Sequence, residues 1–137
     1  MPTVYAGPFC KYTAVNDNAV IGLTFDKAPD GYKTVVTKVI VSGLRTTSQA
    51  VSVGIKLTNL SAQAWDTNVA DFGYFFGASF PAATGAFSHA FDFGGPTGTD
   101  GGLPLNHTDS FHLLTVEHVG FNVNTLTATV FYVWQKL

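Results

Sequence analysis

Apolar and polar positions alternate with a period of two along most of this chain, which is the spacing of half-buried β-strands. From Gln49 to Thr58 the pattern is clean. Val51, Val53, Ile55 and Leu57 point one way, and Ser52, Gly54, Lys56 and Thr58 point the other. The preceding run, KTVVTKVIVS from Lys33, is β-branched on both faces. Val35, Thr37, Val39 and Val41 share one side; Val36, Lys38, Ile40 and Ser42 share the other. Apolar groups on both faces predict a central strand. Gly43 to Ser48 is too short for a crossover, so it predicts a connection between two antiparallel neighbours.

Shorter apolar runs predict strands over Lys11–Val15 and Ala19–Phe25, separated by the turn residues Asn16-Asp17-Asn18. Pro29-Asp30-Gly31 is a second turn signal. Asp109–Val119 and Leu126–Leu137 read as the last two strands. In the latter, Leu126, Ala128, Val130, Tyr132 and Trp134 alternate with Thr127, Thr129, Phe131, Val133 and Gln135. A short helix or turn capped by Ser61 is expected near Ser61–Trp65.

Asp71 to Gly102 breaks the pattern. It holds seven of the twelve Phe residues and no Lys, Arg or Glu. Three parts are expected within it. Asp71–Gly85 is an irregular aromatic arm, interrupted by Gly73, Gly77, Pro81 and Gly85. Ala86–Phe93 is a strand with Phe87, His89, Phe91 and Phe93 on one side. Gly94–Gly102 is a Gly-rich loop. The arm's rings need a dry place while its Gly and Pro residues oppose regular pairing. Phe72, Tyr74, Phe75, Phe76 and Phe80 are therefore the candidate interface residues.

The total is about eight strands with little helical periodicity. That predicts one all-β domain over residues 1–137, an antiparallel β-sandwich of jelly-roll or Greek-key type with a long aromatic, Gly-rich connection. Charged residues are only 12% of the 137, and the net charge is −2. A surface this poor in charge favours association with neighbours. It offers no basic footprint for nucleic acid and no polybasic patch for a membrane. MPTVYAGPFC lacks the features of a signal peptide, and no apolar run is long enough for a transmembrane helix. The single cysteine, Cys10, reads as a small packing residue without an internal disulfide partner.

Catalytic chemistry finds little to stand on. Most of the eight Asp lie in turns, and Asp71 and Asp92 share only a repeated Asp-Phe-Gly context. His112 and His118, six apart on one strand, would stand about 20 Å apart, too far to share a metal ion. His89 and His107 lie on other segments. No phosphate-binding Gly loop, calcium loop or nucleophile elbow is present. Neither a cofactor nor a small-molecule substrate is expected. A lectin-like, carbohydrate-binding sandwich is the alternative, with Trp65, Trp134, Tyr74 and Tyr132 as the rings a sugar would stack on. The excess of Phe over Tyr and Trp weighs toward burial against protein.

The Thr- and Val-rich strands KTVVTKVIVS, QAVSVGIKLT and TLTATVFYVW, with Gly-Thr loops and single Met and Cys residues, resemble the small β-rich structural proteins of tailed-phage virions. Capsid decoration (cement) proteins and short head or tail components are of this kind. The resemblance implies a non-enzymatic virion subunit, made in the host cytoplasm. Its partners would be copies of itself or other capsid or tail proteins, held by apolar contacts and strand addition.

Overall fold

A computed structural model of the chain describes residues 5–16, 21–58, 73–94, 101–105, 112–119 and 123–137. Those residues form seven strands: β1 (Tyr5–Asn16), β2 (Ile21–Phe25), β3 (Tyr32–Thr58), β4 (Gly73–Asp92), β5 (Leu103–Pro104), β6 (His112–Val119) and β7 (Val123–Lys136). Every pairing is antiparallel.

Two strands are long enough to belong to both layers of a sandwich. The first half of β3 pairs with β7, from Tyr32 opposite Lys136 to Arg45 opposite Val123. The second half pairs with β6, from Ser52 opposite Val119 to Thr58 opposite Leu113. β4 follows β3 around the same bend, Lys38–Arg45 lying opposite Asp92–Gly85 and Gln49–Thr58 opposite Ala83–Gly73. One layer is thus β1-β7-β3-β4 and the other β2-β6-β3-β4, using opposite halves of β3 and β4. Divided at the bend, β3 and β4 bring the long strands to eight, and the chain alternates between layers in the order of a jelly roll.

Residues 43–48 were expected to connect two adjacent strands. Instead the chain stays extended through them, and the halves of β3 lie in different layers rather than side by side. The aromatic segment departs in the same sense: Gly73–Asp92 is one strand, where an irregular arm and a separate strand were expected. The reason is shared. Each long strand supplies the other's backbone partners, so neither needs a turn where the layers meet.

The inward residues from both layers merge into one buried cluster. β3 contributes Val36, Val39, Val41, Val51, Val53, Ile55 and Leu57; β7 contributes Leu126, Ala128, Val130 and Tyr132; Leu114 and Val116 come from β6. The alternation in β7 and in the second half of β3 is the one the sequence predicts. In the first half of β3 it slips. The register against β7 shifts between Val36 and Lys38, so Val36 joins Val39 and Val41 in the core. Thr37 is displaced from that face, and its hydroxyl donates to the Phe131 carbonyl (3.2 Å). Cys10 is exposed, not packed inside, because it sits on the outer side of β1 opposite Phe131.

The turn at Pro29-Asp30-Gly31 forms as expected, closed by the Tyr32 amide donating to the Pro29 carbonyl (3.0 Å), with Gly31 at φ +86°. The predicted helix near Ser61–Trp65, the turn at 17–18 and most of the 94–102 loop lie outside the described residues.

Gly43 is a point of close packing against the core residue Phe87. A Cβ there would lie 2.5 Å from the Phe87 ring and 2.8 Å from the Thr125 carbonyl oxygen. Gly43→Ala is expected to lower stability by about 1–3 kcal/mol through overpacking. Gly77→Ala, whose Cβ would meet only the Val53 carbonyl at 3.6 Å, is expected to be neutral or slightly stabilising. Urea unfolding of the two variants checks the contrast.

Candidate functional site

β4 is the element on which the interface expectation falls, and its local geometry comes from the bend it shares with β3. Thr46, Thr47 and Ser48 of β3 stand against Thr84 alone on β4, and a second slip sets Pro81 and Ala82 against Ala50. Regular ladder bonds are interrupted here. Arg45 occupies the inside of the bend and is 6% exposed. Its Nη1 donates to the Pro81 carbonyl at 2.8 Å, and its Nε approaches the Gly85 carbonyl at 3.5 Å. The guanidinium carbon lies 5.5 Å from the centre of the Phe87 ring, within cation–π range. A planar fork can reach two carbonyls from one stem, which an ammonium cannot do as well. Gly85 supplies the positive φ (+95°) that the bend requires. Nothing in the sequence singles out Arg45, since a lone Arg in a run of Thr and Ser carries no periodic signal.

The five interface candidates separate into three groups. Phe72 lies outside the described residues. Tyr74 and Phe75 are placed by their backbones, opposite Leu57 and Lys56. Phe76 and Phe80 are half-buried and pack inward against the core. The Phe76 ring meets Phe93 with centroids 4.8 Å apart; Phe80 meets Phe87 at 5.0 Å and His89 at 6.3 Å. Alternation explains this. Phe76, Ala78 and Phe80 share the inward face of β4, while Gly77 and Ser79 are exposed on the other.

What β4 presents outward is its backbone. β3 pairs along one side of it from Gly73 to Asp92, and among the described residues no strand pairs with the other side. Such an edge displays a row of N–H and C=O groups that another strand can complete. The other two long-sided edges are less open. β1 carries Lys11 and is irregular between Ala6 and Phe9, and β2 is only five residues long.

The rings of the lectin-like alternative are turned inward where they are described. Tyr132 is 5% exposed and stacks among Phe9 (5.3 Å) and Phe25 (5.1 Å). Trp134 is half-buried and lies 4.4 Å from Phe9, with its indole nitrogen buried. Neither offers an open face to a sugar. Tyr74's side chain and Trp65 are outside the described part.

Among the described residues no group of three or more His, Cys, Asp or Glu is placed to hold a metal ion. Asp92 is exposed, and its Oδ1 accepts the Gly94 amide at 3.0 Å, a loop-stabilising contact. A cleft of about 430 Å³ lies over Val35, lined by Lys33, Phe93, Gly101, Gly102, Pro104 and Gln135. Among the described residues it brings one cation and no carboxylate to its walls.

No protein-family model matches the chain, and no curated protein matches it. Among solved structures it is similar to a chain in the structure of a marine algae virus of the order Picornavirales. That match has 10% identity and a TM-score of 0.33, and covers 93% of this chain and 67% of the other. It is also similar to a chain in the cryo-EM structure of broad bean stain virus, at 14% identity and a TM-score of 0.37, covering 96% and 86%.

Substitutions at two positions test the bend and the core. Arg45→Met should cost about 1–3 kcal/mol, because carbonyls at the bend lose a charged donor, and Arg45→Lys should fall between it and the wild type; urea midpoints order the three. Burial first, then the charges of Asp26 and Cys10, raise the Tyr132 phenol above its ordinary 10.0. The folded chain then holds this proton more tightly than the unfolded one. The contribution is fully present below about pH 10 and is lost as pH rises through the folded value. Tyr132→Phe should therefore flatten the fall in stability above pH 10, measured by urea titration at successive pH values.

Proposed function

We propose that this protein is a non-enzymatic structural subunit of a multi-copy assembly, a virion component of the capsid-decoration or head–tail kind. Copies of itself and other capsid or tail proteins are its partners. One observation carries the reading: a jelly roll with few charges leaves a twenty-residue strand, β4, open along one side among its described residues. Soluble monomers blunt such edges with lysines, prolines or covering loops. On β4 Pro81 stands at the bend, and no Lys or Arg occurs from end to end.

Two further features support it. Uncharged outer faces associate readily, since little desolvation of charge opposes contact. The long edge of β4, unpaired among the described residues, is suited to adding a neighbour's strand.

In sedimentation velocity across a micromolar series, the purified chain is expected to form concentration-dependent species larger than a monomer. It should also be recovered at stoichiometric occupancy when mixed with the particle that carries it. A strictly monomeric chain that also fails to bind any such particle would sink the proposal.

A further inference from the structure

Taking the assembly reading as its basis, we propose that Phe76–Phe80 of β4 is a two-fold docking strand. A second copy of this chain adds there antiparallel, with Ala78 of one copy opposite Ala78 of the other.

The bounds of the strand come from the chain itself. Pro81 has no backbone N–H and marks a slip in the β3–β4 register, so it ends the regular edge on one side. Beyond the bend, Gly85–Asp92 carries His89 and Asp92 and is guarded in the manner of natural edges. Gly73–Phe80, by contrast, contains no Lys, Arg, His, Asp, Glu or Pro. With Pro81 excluded on both copies, a two-fold axis at Ala78 pairs Phe76–Phe80 of each, five residues or about 17 Å at the rise of an antiparallel strand.

The occupant follows from the pattern of side chains. A two-fold axis at Ala78 pairs Gly77 with Ser79 of the second copy and Phe76 with its Phe80. Inward residues then meet inward residues, as a continuous sheet requires. Phe76 and Phe80 are both half-buried, so each keeps part of a ring exposed at the edge of the core. This register sets those two exposed parts against each other across the new strand pair, and does so twice. Cross-strand aromatic pairs are among the more favourable sheet contacts. On the outer face only Gly77 and Ser79 meet, and neither obstructs approach. A charged peptide finds nothing on this strand to recognise, whereas a second copy meets no like charge.

The test places charge at the two outward positions. In Gly77→Lys/Ser79→Lys each introduced lysine faces the other's counterpart across the two-fold axis, giving two like-charge pairs. In Gly77→Lys/Ser79→Glu the same geometry gives two opposite-charge pairs. Both variants lose the Ser52–Ser79 hydroxyl contact (3.3 Å) equally, and a side chain at 77 has ordinary room. Urea unfolding confirms that each folds. By sedimentation equilibrium, the double-lysine variant should associate about tenfold more weakly than wild type, and the lysine–glutamate variant within about threefold of it. Equal weakening of both, or undiminished association of the double-lysine variant, overturns the two-fold register while leaving the assembly reading intact. A wild type that stays monomeric and binds no particle overturns both.

Discussion

The whole molecule depends on the pairing of β3 with β4 through a bend. β3 is the only strand among those described with neighbours on both sides in both layers: β7 and β4 first, then β6 and β4. Straightening it would pull the two layers apart and open the cluster that runs from Val36 to Leu57. A bend in a paired strand costs ladder bonds. The two register slips localise that loss, and Arg45 meets part of it from the inside by donating to the Pro81 carbonyl. A cation buried to this extent is tolerable because it lies against carbonyl oxygens and an aromatic face.

The same constraint shapes the candidate interface. Because β4 follows β3 around the corner, it forms one edge of both layers. Its inward residues must then complete the core, which is where Phe76, Phe80, Phe87 and Phe91 go. Those four rings, conspicuous in the sequence, are turned toward the protein. Polar backbone and partly covered ring edges remain at the rim. Recognition at such a site depends on strand addition more than on a hydrophobic patch.

Much of this was legible from period-two alternation. The inward sets Val51–Leu57 and Leu126–Tyr132 and the placing of Phe87 and Phe91 on one face follow from which side chains avoid water, and the turn at Pro29–Gly31 from the backbone preferences of its residues. The all-β class was legible too, since nothing in the chain repeats at helical spacing over a useful length, whereas the choice of jelly roll over another Greek-key sandwich came from the strand order. Gly and Pro in Gly73–Gly85 misled, because they lower strand propensity without forbidding pairing. Given a continuous partner, the strand forms and the irregularity shrinks to two slips.

What the sequence alone determined is therefore the choice of inward and outward positions along the regular strands, the register slip at Val36–Lys38 apart, because that choice needs only the contrast between side chain and water. Which layer each half of a strand joins was decided by tertiary structure. Alternation is the same whether a strand ends at residue 43 or bends and continues, and only the partner's backbone tells the two apart. The fate of Arg45 has the same origin: its burial follows from carbonyls on β4 some forty residues away, which no local pattern around Thr46 and Thr47 could announce.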